Sequence, residues 1–140
     1  MKQGNYTLTI IKPDACAAGK AGKIIAHLED AGFKVLAARV MRLSKDQAGE
    51  FYAVHRERPF YGSLVSFMTS GTSMPMVIEK AGAVAALREV IGATDPAEAK
   101  AGTVRKLFAE SKERNAIHAS DSDENAAREA RFFFAEGDLY

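Results

Sequence analysis

Cysteine is nearly missing from this chain: Cys16 stands alone among 140 residues and pairs with no second cysteine at CxxC spacing. Disulfide scaffolds, zinc ribbons and dithiol redox motifs are excluded together, and a reducing compartment fits best. Charge of one sign is not in excess either, since 19 Lys and Arg against 18 Asp and Glu leave a formal net charge of +1. Such a field recruits neither nucleic acid nor an anionic membrane, and no RNP-like aromatic strand argues for RNA. Apolar runs fall well short of the roughly 18 residues of a membrane span, and Met1-Lys2-Gln3-Gly4-Asn5 lacks the apolar stretch of a signal peptide, so the expected location is the cytoplasm. Three glycine signatures are missing as well: the phosphate-cradling G-x-x-x-x-G-K-[ST], the dinucleotide G-x-G-x-x-G and the nucleophile elbow G-x-S-x-G. His27 and His55 have no second ligand at metal-site spacing, so no protein-held zinc is expected.

What is present is an ordinary core. The hydrophobic share is 47%, and the length suits one domain spanning residues 1–140. Tyr6-Thr7-Leu8-Thr9-Ile10-Ile11 reads as a strand that Lys12-Pro13-Asp14 stops. Ile24, Ile25, Leu28 and Ala31 give a helix ending at Gly32. Phe33, Val35, Ala37, Met41 and Leu43 fall on one face of a second strand, and Ser44 to Gln47 offers a capping box for a helix carrying Ala48, Phe51, Tyr52 and His55. A further helix follows Pro59, Met76-Val77-Ile78 is a buried strand, and Val84, Leu87 and Ile91 mark a helix that Gly92 ends. Residues 92–115 read as a long connection without regular structure. Ala116 to Ala119 is a short strand, and Ser120 to Glu124 opens a last helix through Ala126, Ala130 and Phe133. Strands interleaved with helices predict an α+β, ferredoxin-like arrangement.

The most informative segment is Asn115-Ala116-Ile117-His118-Ala119-Ser120-Asp121. It places a histidine at a strand end just before a helix N-terminus, where unpaired N–H groups and the helix dipole attract an anion and a neutral imidazole can act as nucleophile or base. Two other readings stay open: a structural histidine bonded to the following carboxylates, and a Ser-His-Asp site, which the adjacency of Ser120 and Asp121 disfavours. Taken singly, Lys12, Arg88 and Arg105 read as solvated side chains.

Taken in order, the motifs say more. Asn115 to Asp121 is similar to N-x-x-H-G-S-D, and Tyr6 to Asp14 to a strand ending in Lys-Pro-Asp. Arg58-Pro59-Phe60-Tyr61 is similar to R-P-F-[FY], Arg88 to Pro96 to R-x-x-x-G-x-T-[DN]-P, and Gly102 to Arg105 to G-T-[ILV]-R. Over nearly its whole length the chain resembles the nucleoside diphosphate kinases.

The resemblance implies a ferredoxin-like sandwich on a four-stranded antiparallel sheet, and ping-pong transfer of a γ-phosphate from a nucleoside triphosphate, chiefly ATP, to a nucleoside diphosphate. It implies that His118 is the nucleophile through Nδ1, and that Lys12, Arg88, Thr94 and Arg105 serve the phosphates. By the same resemblance Asn115 and Lys12 meet the ribose, while Phe60 stacks on the base without reading its edge. Tyr52, Ser120 and Glu129 would support the site, Tyr52 and Glu129 by orienting His118 and Lys12. Mg²⁺ would ride on the nucleotide phosphates with no protein-held metal, and the partners would be nucleoside di- and triphosphates and further copies of the chain, as a tetramer or hexamer. Arg105→Ala and Lys12→Ala are expected to cost turnover far more than stability. A regulatory domain that binds nucleotide without turnover is the competing expectation.

Three positions depart from the pattern. Ala119 replaces the usual glycine and would be strained if φ there were positive. Lys106-Leu107 follows Arg105 in place of a small residue and Asp. Lys112 stands where an apolar residue often covers the base.

Overall fold

In a computed structural model that describes residues 1–139, the chain forms one four-stranded antiparallel sheet in the order β2-β3-β1-β4. The strands are β1 (Tyr6–Ile11), β2 (Lys34–Ala38), β3 (Met74–Glu79) and β4 (Ile117–Ala119). The helices are α1 (Pro13–Ala17), α2 (Ala21–Asp30), α3 (Lys45–Phe51), α4 (Tyr61–Met68), α5 (Ala83–Ile91), α6 (Val104–Phe108) and α7 (Asp123–Phe133). The order β1-α2-β2-β3-α5-β4 is the ferredoxin-like pattern, with α1, α3, α4, α6 and α7 added.

Alternation along the central strands divides the core. Tyr6, Leu8 and Ile10 of β1 and Val77 of β3 enter a cluster with Phe51, Tyr52, Met68 and Phe133. Ile11 of β1 and Met76 and Ile78 of β3 enter another with Ile24, Leu28, Leu87 and Val104. Both faces of β1 and β3 are therefore covered, and β1 is buried along its whole length. This is why that strand reads as a continuous apolar and threonine run.

Four details depart from the sequence reading. The strand after Phe33 does not keep one face, because its register shifts between Val35 and Ala37. The extra residue is a β-bulge, so Phe33 and Val35 pack in one cluster while Leu36, Ala37, Met41 and Leu43 pack in the other. The helix assigned through His55 ends at Phe51 and passes into a 3₁₀ turn over Ala53–His55. The Lys-Pro-Asp stop of β1 is itself a helix start, with Pro13 at its first position and Asp14 in its first turn. The 92–115 connection contains α6, capped where Thr103 Oγ1 accepts from the Lys106 N–H.

Candidate active site

β1 ends at Ile11 and β4 pairs with it antiparallel, Ile10 opposite His118 and Ile11 opposite Ile117. That pairing brings Lys12, just past β1, beside Asn115, just before β4. Lys12 Nζ donates to Asn115 Oδ1 at 2.8 Å in a buried contact. Burial, then the Arg105 charge, lowers the Lys12 pKa to about 8. Asn115 Nδ2 in turn donates to the Thr94 carbonyl at 3.3 Å, tying the loop after α5 to the same point.

Further along β4, the His118 ring lies Nε2 to Glu129 Oε1 at 2.7 Å, and Ser120 Oγ lies 2.8 Å from the same oxygen. Glu129 sits on the buried face of α7. Its carboxylate accepts, which in a neutral ring assigns the proton to Nε2 and leaves the free lone pair on Nδ1. Thr9 Oγ1 donates to the His118 carbonyl at 2.7 Å, and the Phe51 and Tyr52 rings meet the imidazole edge-on at 5.3 and 6.0 Å between centroids. The imidazole is thus held on its Nε2 side and wedged by aromatic edges.

These groups line a cleft of about 800 Å³ that also contains Phe60, Arg88, Thr94, Arg105 and Lys112. The size suits a nucleotide. The cleft is graded: Lys12, Arg105, Asn115 and Glu129 are buried, whereas Arg88 and Thr94 are exposed. Phe60, 48% exposed, stands at the rim with its ring 5.3 Å from that of His55. Five cationic side chains line it: Lys12, Arg88, Arg105, Lys112 and Arg128. Desolvation, then the nearby Arg88 charge, lowers the Arg105 pKa to about 10. Among the described residues no three His, Cys, Asp or Glu side chains cluster as a metal site; the cationic lining is what suits the cleft to an anion.

The family model described as nucleoside diphosphate kinase matches residues 5–139. The chain belongs to the nucleoside diphosphate kinase family. It is 63% identical to the nucleoside diphosphate kinase of Chlorobium chlorochromatii (strain CaD3), the match covering 92% of each chain. Among solved structures, the Aquifex aeolicus nucleoside diphosphate kinase superposes with a TM-score of 0.95 at 43% identity, covering 97% of this chain and 99% of that one. The Halobacterium salinarum nucleoside diphosphate kinase, solved in complex with CDP, gives 0.92 at 37% identity, covering 98% of this chain and 91% of that one. Membership carries the enzyme class, a nucleotide phosphotransferase, and the antiparallel ferredoxin-like fold is the one its structural relatives share.

Seen as a nucleoside diphosphate kinase, the chain brings every sequence-predicted residue to this cleft except Ser120, which lies just behind it against Glu129. Two expectations change. Tyr52 was to orient Lys12 as well as His118, but Lys12 is held by Asn115, and the Tyr52 hydroxyl is buried with no partner among the described residues. Burial, then the Glu129 charge, raises its pKa, so it stays a neutral hydroxyl. Arg105→Ala was to cost turnover far more than stability, but Arg105 donates Nη1 to the Gly92 carbonyl at 3.1 Å and Nη2 to the Ile117 carbonyl at 2.8 Å, so a stability loss is expected as well. Arg105 therefore ties the loop after α5 to β4, and its buried Nε has no partner among the described residues.

The departures resolve as follows. Ala119 lies in β4 opposite Thr9 and carries no positive φ; the positive-φ alanine is Ala116, at 75°. Lys106 and Leu107 both point to solvent on α6, outside the cleft. Lys112 lines the cleft with Phe60, where its aliphatic stem can cover a base. His55, which sequence spacing assigned only to a helix, stacks on Tyr52 and flanks Phe60 at the rim. Its signal was available in its place five residues before Phe60, but the 3₁₀ turn that aims it there has no sequence period.

Proposed function

We propose that the chain moves the γ-phosphate of a nucleoside triphosphate, chiefly ATP, onto a nucleoside diphosphate through a phosphohistidine on His118. The observation that carries this reading is the His118–Glu129 bond, which leaves Nδ1 as the nucleophilic nitrogen at the inner end of a cationic cleft. Nδ1 attacks the γ-phosphorus in line, a P–N bond forms, and the bond to the β-phosphate oxygen breaks with its electron pair leaving on the diphosphate. Positive charge growing on the ring is stabilised by Glu129, which Ser120 steadies from behind. A second nucleotide, as the diphosphate, then takes the phosphoryl group by the reverse path.

Lys12, Arg88 and Arg105 offset charge spreading over the equatorial phosphoryl oxygens, and Thr94 adds a hydroxyl donor. Each well-placed donor lowers the barrier by roughly 3 kcal/mol. The neutral Tyr52 side chain meets the imidazole edge-on and helps to hold it. Mg²⁺ fits a site of this donor set as an ion borne by the nucleotide, held by phosphate oxygens that Lys12, Arg88 and Arg105 position; when bound it neutralises phosphate charge. Asn115 and Lys12 meet the ribose, and Phe60 offers the base a π-face without edge-reading groups, which favours broad base use. Phe60→Ala should raise KM several-fold while leaving kcat near its starting value, as steady-state kinetics with ADP, GDP and CDP would check.

Residues 1–140 act as one domain, and the enzyme works in the cytoplasm, which its single cysteine supports. It assembles as a homo-oligomer, tetramer or hexamer. The outer edge of β2 in the sheet and exposed Val40 beside it support self-association, and mass measurement in solution settles the number. The mechanism is tested by incubation with γ-labelled ATP and Mg²⁺: the protein acquires an acid-labile, base-stable label that His118→Ala abolishes. A protein that binds ATP but takes no label is a regulatory nucleotide binder instead.

A further inference from the structure

One buried carboxylate has no place in the chemistry above. Asp14, 4% exposed in the first turn of α1, accepts the Ala116 N–H on Oδ2 at 3.0 Å, joining positions 102 residues apart. Its Oδ1 is buried without a partner among the described residues. Ala116 is fully buried and is the one non-glycine residue with positive φ among the described residues. The Ile117 N–H returns to the Asn115 carbonyl at 2.9 Å, so Ala116 is the centre of a γ-turn of the positive-φ form, the rarer and more strained of the two. An L-residue keeps such a backbone only where its surroundings over-determine it. Here they do, since the Ala116 carbonyl is held in turn by the Lys12 N–H at 2.9 Å.

Both flanks of this turn reach the cleft. Asn115 before it holds the Lys12 ammonium, and His118 lies two residues after its centre. The turn sets the spacing between the Lys12–Asn115 pair and the imidazole. We propose that Asp14 is a positioning residue for phosphoryl transfer, its carboxylate holding Ala116 in the left-handed turn that sets Asn115 and His118 in register. The proposal rests on the phosphohistidine reading of His118. Without the acceptor, Ala116 gains by relaxing to negative φ, which swings the β4 entry. A misplacement of about 1 Å at reacting groups costs on the order of 100-fold in rate.

The test compares single-turnover phosphorylation of His118 by γ-labelled ATP in the wild-type chain, Asp14→Ala, Asp14→Asn, and each Asp14 variant combined with Ala116→Gly, with urea unfolding run in parallel. Asp14→Ala should slow labelling by roughly 10- to 100-fold, and Asp14→Asn by less, since an amide oxygen still accepts but without charge. Ala116→Gly should return most of the lost rate in both backgrounds, because glycine adopts positive φ without strain. A carboxylate that served folding alone predicts otherwise: added glycine shifts the urea midpoint and restores no rate. Asp14→Ala labelling at the wild-type rate overturns the proposal, as does a glycine that restores nothing. If Asp14→Ala does not fold, the Asp14→Asn pair decides by the same criterion. A wild-type chain that takes no label overturns the phosphohistidine reading and this proposal together, whereas a labelled wild type confines any failure to Asp14.

Discussion

Lys12 is where burial and function pull hardest against one another at the scale of a residue. Its ammonium is buried and beside Arg105, and its pKa falls to about 8. In the proposed mechanism the charged form grips phosphate, so in the free enzyme kcat/KM should decline as pH rises through about 8, because that ratio follows free-enzyme ionisations. The sign for stability is opposite. The unfolded lysine keeps its proton up to about 10.4, so between about 8 and about 10.4 the unfolded chain binds more protons than the folded one, and Lys12's contribution to stability rises with pH across that window. A pH series of kcat/KM alongside urea unfolding checks both signs, and Lys12→Met should remove both dependences. Much of this scale was legible in sequence. Asn115, His118 and Lys12 stand in short ordered motifs at the ends of adjacent strands, where the proposed mechanism needs an acceptor and its cation. The positive φ of Ala116 was not legible, since no residue type announces it, and the sequence placed the question of backbone strain three positions later, at Ala119.

Among elements, the loop after α5 and the short α6 act together. Gly92 ends α5 at φ 87°, and a Cβ there would meet Thr103 Oγ1 at 2.6 Å. Gly92→Ala should therefore destabilise the chain by roughly 1–3 kcal/mol, read as a lower urea midpoint with unchanged slope. Arg105 leaves α6 to hold the Gly92 and Ile117 carbonyls. Arg105→Ala should consequently lose turnover and also roughly 1–3 kcal/mol for the Ile117 carbonyl left buried without its donor, a paired loss that kinetics and denaturation separate. Periodicity revealed α2, α5 and α7, which present repeated apolar positions to the sheet. It could not reveal α1 and α6, since five residues hold barely more than one turn. The Val35–Ala37 bulge escaped for a related reason: one inserted residue exchanges the faces beyond it while the apolar pattern still looks regular.

For the whole molecule, the sheet order places β1 and β4 side by side, so residues more than 100 positions apart converge on one cleft. Alternating strands and helices pointed to that topology, but the joining of Lys12 to Asn115 came only from the family resemblance, because pairing between distant strands leaves no local mark. The central claim is that the phosphoryl group rests on the protein between two nucleotides. The direct measurement is to phosphorylate the chain with γ-labelled ATP and Mg²⁺, remove all nucleotide, and add CDP alone. The account predicts that the label leaves the protein and appears in CTP in equal amount, with no transfer in His118→Ala. Label that forms CTP only while ATP is still present would contradict it.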